Sequence, residues 1–572
     1  MATSPVQETK AQKSERLKRT LNPWEGLAEI RRFAKEGFAS IPPEWIGTYF
    51  RWWGVYTQGD GAGVVAGKDG VGRALPFFMV RIRIPNGLLQ SRQLRAIADL
   101  TRRYARGIAD LTVRQNIQLH WVTIESLPEV LEELWRVGLN TTGSCGDVTR
   151  NLTGCPVAGV DADEICDASP LALAADRMLA GNPEFYNLPR KFKISITGCS
   201  VWCPYPEIND VGLTAIRRAV TSKDGEEPEI GFSLRVGGGL STDPYLGARL
   251  NAFVRWNQVL PVIRGVAELF RDSDQLREHR ERARLKFLFL RHGWTPQDFQ
   301  KELERRIGFQ LDPAEPEHPP ADVYRDHIGI HEQKQAGYCY VGATVLRGRI
   351  TPEQMQAAAD LAERFANGEL RTTNMQNLLI INVPRSQAEE LAKELGAIGL
   401  PVHGSSFRRG AVACSGSEFC KLAITETKSF SRWLVEELEE RLPGFDQDLK
   451  LHVTGCPNSC GQHWIADIGI EGKKIKIDGH MVDAYYFCLG GSLGLNQSIA
   501  RPVGFRCPAT EVPEAIERLL RQYLADGRPG ENLRRFFARH SETELRSFLA
   551  GEFVEAVARD LPEGRVPSGV EG

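Results

Sequence analysis

Hydrophobic positions follow a helical period in some segments and a strand-like period in others, and this succession occurs twice in the same order. The segments that begin at Ser91 and Thr351 carry apolar residues at helical spacing behind a residue able to cap a helix. A strand-like run follows each helix, LHWVTI in the first case and LLIINV in the second. This pattern predicts an α+β (mixed α/β) chain made of two related halves.

Four separate sequence motifs recur in the same order in the two halves, which indicates an internal duplication. We match Ala98–Gly107 with Ala359–Gly368, Asn116–Gln118 with Asn374–Gln376, Ile196–Cys203 with Val453–Cys460, and Gly237–Gly239 with Gly490–Gly491. Between the halves, residues 311–326 (LDPAEPEHPPADVYRD) are rich in proline and acid and have no periodicity, as in a linker. We therefore expect a pseudo-twofold relation between the halves.

The composition is that of a water-soluble globular protein, with 42% hydrophobic and 25% charged residues among 572. A net charge of -2 gives no sign of a nucleic-acid partner. Residues 1–23 have no apolar core and fit neither a secretory signal nor a membrane anchor, so we interpret them as a solvated tail of a cytoplasmic protein. The glycine-rich stretch at 59–72 lacks the strand-loop-helix context of a phosphate site and is interpreted as a surface loop.

Two cysteine pairs in the second half are the strongest chemical signal. Cys414 and Cys420 lie in ACSGSEFCKLA, and Cys456 and Cys460 lie in TGCPNSCGQ, both in turn-forming sequence. Four thiolates complete an iron-sulfur cubane, which we favour. Structural zinc is the alternative, although its loops usually have shorter cysteine spacings than the five residues between Cys414 and Cys420. Buried cysteines that only pack are a third interpretation.

The first half keeps only part of this cysteine pattern. Cys199 and Cys203 repeat the spacing of Cys456 and Cys460, but the cysteines upstream, Cys145 and Cys155, are too far apart to copy the other pair. We interpret this copy as a relic that has lost its cluster. A second metal site there remains an open alternative.

The cysteine motifs occur together with PFFMVRIRIPNG, LTVRQNIQLHW, GDVTRN and LPRKFK, and this combination resembles the siroheme-dependent nitrite and sulfite reductases from about residue 45 to 555. The resemblance implies a pseudo-dimeric repeat that holds siroheme and a [4Fe-4S] cluster on Cys414, Cys420, Cys456 and Cys460. It further implies that Cys460 also bridges to the siroheme iron.

The resemblance also places basic residues at the substrate. A carboxylate-bearing cofactor and an anionic substrate both require fixed positive charge. By similarity this charge comes from Arg81, Arg150, Lys191 and Lys193, and in strand geometry the two lysines point to one side. The alternative is that they are ordinary solvated surface charges.

The remaining site predictions concern the siroheme and the substrate. Arg114, Gln118, Asn374 and Gln376 resemble residues of cofactor-contacting strands, although buried amides also bond to backbone; His120 is better explained as a core histidine. Tyr56 and Cys145 occupy positions at which a bacterial branch of the family forms a thioether.

Substrate signals conflict. NLTGCPVAGVDADE, TGCPNSCGQ and PEINDVGL resemble nitrite reductases, whereas the lysines of RKFK and the Tyr56/Cys145 pair resemble sulfite reductases. We favour reduction of nitrite to ammonia, with sulfite to sulfide as the alternative and ferredoxin or a similar carrier as electron donor. A structural metal protein without catalysis is the rival class, but it has no use for a cationic cavity.

The resemblance and the duplication together give a domain scheme. We predict an N-terminal tail and lead-in (1–44), a ferredoxin-like half-domain (45–140), a siroheme-binding lobe (141–310), the linker (311–326), a second ferredoxin-like half-domain (327–405), a [4Fe-4S]/siroheme lobe (406–555) and a C-terminal tail (556–572).

Overall fold

The structure is a computed structural model that describes residues 8–59, 74–219, 228–321 and 323–552. The loop predicted at 59–72 lies outside these residues except for Gly59, and the tail predicted at 556–572 lies outside them entirely. Within the described ranges no helix is long and apolar enough to cross a membrane. The cytoplasmic location stays a prediction.

The first half contains a mixed unit followed by a larger lobe. The mixed unit comprises α1 (Lys10–Thr20), α2 (Leu27–Glu36), α3 (Pro43–Gly47), β1 (Val55–Gly59), β2 (Ala74–Ile82), β3 (Leu88–Gln90), α4 (Ser91–Tyr104), β4 (Ala109–Leu111), β5 (Ile117–Val122) and α5 (Leu127–Arg136). The lobe comprises α6 (Ser169–Leu179), β6 (Ile194–Thr197), β7 (Val211–Arg218), β8 (Glu229–Val236), β9 (Ala248–Arg255), α7 (Val259–Arg271), α8 (Phe287–Arg291) and α9 (Pro296–Ile307).

The second half repeats this arrangement. Its mixed unit comprises β10 (Gly329–Glu332), β11 (Tyr338–Ala343), β12 (Arg349–Ile350), α10 (Pro352–Phe365), β13 (Glu369–Thr372), β14 (Leu378–Pro384) and α11 (Ala388–Ala397). Its lobe comprises α12 (Ser406–Gly410), β15 (Ala411–Ala413), α13 (Gly416–Phe419), α14 (Lys428–Arg441), β16 (Leu451–Thr454), β17 (Ile468–Ile477), β18 (His480–Leu489), β19 (Arg501–Pro508), α15 (Val512–Asp526), α16 (Leu533–Arg539) and α17 (Glu542–Ala550).

The two mixed units exchange one edge strand each. The first sheet has the order β1-β2-β5-β4-β12, so its last strand comes from the second half. The second sheet has the order β10-β11-β14-β13-β3, so its last strand comes from the first half. Helices α4 and α10 pack against each other, and one apolar core runs through both units, with Val80 and Leu119 from the first and Val341 and Ile380 from the second. The predicted α+β fold with a duplicated, pseudo-twofold architecture is confirmed.

The two lobes have related sheets. In the first, β6 pairs with β7 in parallel and the other neighbours in β6-β7-β8-β9 are antiparallel. In the second, β15, β16 and β17 are parallel neighbours, and β18 and β19 continue the sheet antiparallel. Each lobe has its own apolar core. The loops that follow β6 and β16 leave equivalent sheet edges, and both carry cysteine pairs.

The solvated tail predicted for residues 1–23 is wrong over residues 10–23. Thr9 caps α1 through a capping box with Gln12. Lys18 is fully buried and donates to the carbonyl of Leu188 at 2.9 Å, and Glu15 neutralises its charge at 2.5 Å. The burial of α1 could not be predicted from the sequence, because only Ala11 and Leu17 among its buried residues are apolar.

The predicted linker contains no helix or strand in its described residues, 311–321 and 323–326. It nevertheless packs against the first lobe. Glu317 accepts hydrogen bonds from both Nη atoms of Arg235, at 2.6 and 2.7 Å, and Val323 is fully buried. The segment is therefore docked on the protein rather than free in solvent.

Candidate active site

The four cysteines of the predicted cluster lie in two adjacent loops of the second lobe. Cys414 follows β15 and Cys420 follows α13, whereas Cys456 and Cys460 follow β16. Because β15 and β16 are parallel, their carboxyl ends meet at one edge of the sheet. The N–H of Cys414 donates to the carbonyl of Val453 at 3.1 Å and thereby fixes one loop on the other.

Two glycines permit the close approach of these loops. Gly416 has a φ of +59°, and a Cβ there would lie 2.5 Å from Oγ1 of Thr427. The N–H of Gly455 donates to Sγ of Cys414 at 3.2 Å. A Cβ at Gly455 would lie 2.9 Å from the carbonyl oxygen of Thr425. Larger residues at either position would separate the loops.

The four thiols form one electrostatic neighbourhood. Burial raises the pKa of Cys420 to about 11 and that of Cys456 to about 12, and the charge of Cys460 adds to both shifts. Burial and Cys460 also raise the pKa of Cys414. Such thiols are protonated near neutral pH unless a metal centre supplies compensating positive charge.

The spacing of the sulfurs argues against zinc on these four cysteines. Among the described residues, the only group of three or more ligand atoms lying within 4.8 Å of one another is formed by other cysteines, considered below. A tetrahedral zinc ion with Zn–S bonds of about 2.3 Å would bring four sulfurs within about 4 Å of one another. Among the described residues, no three of these four sulfurs lie that close together, so their arrangement does not match a single zinc ion.

The first mixed unit packs against the loop between Cys414 and Cys420. The ring of Phe419 stacks on that of His120 with centroids 3.7 Å apart. His120 Nε2 lies 2.9 Å from Oδ2 of Asp110, and Arg349 bridges Asp110 and Glu418 at 2.9 and 3.0 Å. His120 is thus a core histidine, as its sequence context suggested.

Arg81 lies between the cluster loops and the first lobe. Its Nε and Nη2 donate to Oε1 of Gln118 at 3.1 and 2.9 Å, and its Nη1 donates to Sγ of Cys145 at 3.0 Å. Burial disfavours the charge of Arg81, but nearby Cys145, Tyr56, Cys460 and Cys420 give it a net raised pKa. The guanidinium therefore remains charged beside the cluster cysteines.

Arg150 lies near Arg81 and shares a partner with it. Both guanidinium groups donate to the carbonyl of Ser144, at 3.3 Å from Arg150 and 3.4 Å from Arg81. Arg150 also donates to the carbonyl of Gly146 at 3.0 and 3.1 Å. The described hydrogen-bond partners of Arg81 and Arg150 are an amide oxygen, a thiol and backbone carbonyls, and none of them is a carboxylate.

Lys191 and Lys193 lie on one side of an extended segment, and Phe192 between them is fully buried on the other. Neither ammonium group makes a hydrogen bond or an ion pair with a described residue. Burial lowers the pKa of Lys191 to about 7, Arg284 lowers it further, and Cys460 opposes the shift. Burial and then Lys191 lower the pKa of Lys193 well below its usual value.

Sequence analysis missed two cations of this group. Arg190 contributes to the low pKa of Lys191, and Arg284 contributes to that of both lysines. Arg284 is paired with Asp210 at 2.9 Å, and Asp210 also accepts the backbone N–H of Lys193. Arg284, Leu285 and Lys286 repeat the basic-apolar-basic alternation of Lys191, Phe192 and Lys193, and this repeat could have indicated Arg284 as a further cation of the group.

The predicted cofactor-contacting residues fall into two groups. Arg114 and Gln118 lie at the basic group: Arg114 donates to Oδ1 of Asn209 at 2.8 Å, and Gln118 links Arg81 to Oγ of Ser415 at 3.3 Å. Gln376 brackets Ala413, next to Cys414, with hydrogen bonds of 3.0 Å to its N–H and carbonyl. Asn374 instead donates to the carbonyl of Cys203 at 3.1 Å, in the first-half loop.

The repeat register predicted around these residues is wrong by three positions. The structural counterpart of Gln376 is Gln115: both have positive φ, at 62° and 58°, and both accept a backbone N–H of the adjacent loop. The N–H groups of Asn377 and Asn116 likewise donate to Oγ1 of a threonine four residues earlier. The recurring Asn-x-Gln spacing was accidental.

Tyr56 and Cys145 both lie next to Arg81. Cys145 accepts from Arg81, and the centroid of the Tyr56 ring lies 6.0 Å from Cζ of Arg81. Burial raises the pKa of Tyr56, and the charge of Cys145 adds to the shift. The structure therefore brings these two predicted residues together at the basic group.

Four thiols in adjacent loops, beside cations that lack described carboxylate partners, are the arrangement expected of a redox enzyme that acts on a small anion. The chain belongs to the nitrite and sulfite reductase family. The profile of the nitrite and sulphite reductase 4Fe-4S domain matches residues 145–311 and 404–555, and that of the nitrite/sulfite reductase ferredoxin-like half domain matches 73–136 and 331–398. The predicted cofactors, siroheme and a [4Fe-4S] cluster, are those of this family.

Individual relatives carry both substrate names. The chain is 37% identical to the assimilatory ferredoxin-dependent nitrite reductase of Haloferax mediterranei, over 89% of this chain and 88% of the relative. It is 36% identical to the sulfite reductase [ferredoxin] of Mycobacterium tuberculosis, over 93% and 96%. The solved structure of Mycobacterium tuberculosis NirA superposes with a TM-score of 0.87 at 35% identity, covering 93% of this chain and 97% of that chain. The chain is a nitrite or sulfite reductase.

Proposed function

We propose that this enzyme reduces nitrite to ammonia with six electrons from reduced ferredoxin. The observation that carries the proposal is the position of Arg81 and Lys191, whose charges both interact with Cys460 while neither has a described carboxylate partner. Sulfite is the second candidate, since Tyr56 and Cys145 lie together at the same place. Ferredoxin is proposed as donor because similar chains of nearly the same extent are named ferredoxin-dependent.

The described residues fit both prosthetic groups. Cys414, Cys420, Cys456 and Cys460 would hold the cluster, and Cys460, the most exposed of them, would also bind the siroheme iron. The siroheme carboxylates and the anionic substrate both require positive charge, and the basic group offers Arg114 for the cofactor beside Arg81, Arg150, Lys191 and Lys193, which have no described carboxylate partners. When bound, the two groups supply electron transfer to the substrate and an open metal coordination position.

The side chains of this chain then bind the substrate and supply protons. The arginines offer fixed N–H donors to the oxygens of the anion, and their carbonyl partners hold the guanidinium planes in place. Each oxygen leaves as water and needs two protons. Lys191, with a pKa of about 7, is protonated in part near neutral pH and is suited to deliver them from Nζ.

Steady-state turnover of nitrite and sulfite, measured side by side with reduced ferredoxin, tests the assignment. We expect a higher kcat/KM for nitrite. A higher value for sulfite would assign the enzyme to the alternative without changing the site. Absence of turnover with either anion in protein that shows full siroheme absorption would contradict the proposed function.

A further inference from the structure

Three buried thiols of the first lobe form a compact group that the reductase chemistry does not use. The sulfurs of Cys155, Cys199 and Cys203 all lie within 4.8 Å of one another, and those of Cys199 and Cys203 are 3.2 Å apart. Each of these residues is at most 5% exposed. Oγ1 of Thr197 donates to Sγ of Cys199 at 3.2 Å, which favours a thiolate there.

The fold builds this group as the counterpart of the cluster site. Cys199 and Cys203 follow β6 as Cys456 and Cys460 follow β16. Thr153 pairs in parallel with Ser195 shortly before Cys155, as Ala413 pairs with Val453 immediately before Cys414. The first-half copy of the cluster site therefore retains three of four thiols, because Cys155, although distant in sequence, lies beside Cys199 and Cys203. Cys145 lies instead at Arg81 in the basic group.

The dimensions of the group suit one metal ion rather than a cluster. Tetrahedral coordination with Zn–S bonds of about 2.3 Å places sulfurs about 4 Å apart. The three sulfurs here lie within 4.8 Å of one another, and Cys199 and Cys203 would separate slightly from 3.2 Å to bind the ion. Three thiolates select soft ions, of which Zn²⁺ accepts this ligand set without redox chemistry. Apolar side chains, including Val157, Leu379 and Ile381, pack around the thiols, and the nearby positive charge of Arg325 favours thiolates at this place.

His327 is the candidate fourth ligand, although its ring nitrogens lie outside the group of atoms within 4.8 Å, so the imidazole would have to move toward the sulfurs when the ion binds. His327 is 3% exposed, its Nε2 has no hydrogen-bond partner, and its imidazole interacts electrostatically with Cys199. Its φ is +61°, a conformation that costs free energy in a non-glycine residue. Gly342 accommodates it, since a Cβ at that position would lie 1.7 Å from the carbonyl oxygen of His327.

We propose that Cys155, Cys199, Cys203 and His327 bind one Zn²⁺ ion in a closed structural site. The ion would join the first lobe to the second mixed unit, because Tyr340, Leu379 and Ile381 of that unit pack around the thiols. Asn374 already connects the same two parts through the carbonyl of Cys203. The site thus takes the place in one half that the iron-sulfur cluster takes in the other.

Metal analysis of the holoenzyme tests the proposal. Protein purified without oxygen, incubated with Zn²⁺ and desalted should contain one zinc per chain in addition to its iron. Zinc-edge X-ray absorption should show three sulfurs at about 2.3 Å and one nitrogen at about 2.0–2.1 Å. Less than a tenth of an equivalent of zinc, or a Cys199–Cys203 disulfide in peptides alkylated before reduction, would overturn the proposal, and both measurements need only the wild-type chain.

Variants then assign the ligands. Cys199→Ser should lose the zinc and keep the siroheme absorption, and His327→Gln should weaken zinc binding by about tenfold or more against a chromophoric chelator. Cys339→Ser is the matched control. Cys339 lies in β11 and is equally buried, but its side chain belongs to the apolar core of the two mixed units and not to the group around the three thiols. Equal zinc retention in Cys199→Ser and Cys339→Ser would place the metal elsewhere and overturn the assignment.

Discussion

Gln118 receives two hydrogen bonds from the guanidinium of Arg81 on a single oxygen, at 3.1 and 2.9 Å. Its amide nitrogen donates to Oγ of Ser415, in the loop between Cys414 and Cys420, at 3.3 Å. One side chain thus sets the position of a proposed substrate-binding cation relative to the cluster loop. Gln118 is a positioning residue that acts through Arg81.

Gln118→Met should raise the KM for nitrite about tenfold and change kcat less, because a misplaced guanidinium weakens anion binding. Gln118→Glu keeps the acceptor but pairs Arg81 with a carboxylate, so it should also raise the KM, in this case because the positive charge is cancelled. The cluster signal in electron paramagnetic resonance should be the same in both variants. A Gln118→Met enzyme with unchanged KM would show that Arg81 holds its position alone.

Arg81→Met and Lys191→Met should each slow oxyanion reduction at least about tenfold, which corresponds to the loss of about 1.4 kcal/mol of transition-state stabilisation. Folding and siroheme absorption should be little affected. Lys393→Met, on the exposed face of α11, is the control. Wild-type turnover in a correctly loaded double variant would identify both residues as ordinary surface charges.

Cys460→Ser should remove the cluster signal and its coupling to the siroheme, because a serine hydroxyl stays protonated and is a poor ligand for iron. Cys203→Ser should keep both signals. Iron content and the paramagnetic resonance spectrum distinguish the two variants. Iron loss in Cys203→Ser together with a full cluster in Cys460→Ser would assign the cluster to the wrong half of the chain.

Lys191 should make the stability of siroheme-free protein depend on pH. Its folded pKa of about 7 lies below the unfolded value of about 10.4, so the unfolded chain binds more protons between these values. Its contribution to the free energy of unfolding therefore increases as pH rises from about 7 to about 10. The raised pKa values of Cys420 and Cys456 act in the opposite direction.

The comparison with Lys191→Met isolates this contribution. Urea unfolding at pH 7, 8 and 9 should give a free energy that rises more steeply with pH in the wild type than in the variant. The cysteine contributions cancel in the difference. Parallel pH profiles would mean that Lys191 keeps an ordinary pKa.

Tyr56→Phe should leave siroheme and cluster bound and shift the ratio of sulfite to nitrite turnover, because Tyr56 is near Arg81 but is not a proposed ligand. Mass spectrometry of intact peptides tests for a thioether to Cys145, which would join the two peptides with loss of two hydrogens and resist reducing agents. Separate peptides and an unchanged ratio would reduce Tyr56 to an ordinary packed aromatic residue.

The sequence was sufficient where chemistry is local. The cysteine loops, the repeat of α4 and α10, and the alternation of Lys191 and Lys193 all depend on spacings within a short segment. The sequence was insufficient where distant segments meet. Arg284 is 93 positions from Lys191 in the sequence, yet its charge lowers the pKa of that lysine. The burial of Lys18 and the positive φ of Gln115 and Gln376 are tertiary effects without a hydrophobic signature.

The exchange of β3 and β12 has a consequence for synthesis on the ribosome. Strand β4 pairs with β5 on one side and obtains its second partner, β12, only when Arg349 and Ile350 have left the exit tunnel, since Arg349 pairs with Asp110 and Ile350 with Ala109. Until then the nascent first sheet presents an unpaired edge to other chains. Translation must therefore pass well beyond the midpoint of the message before the sheet of the amino-terminal half is complete.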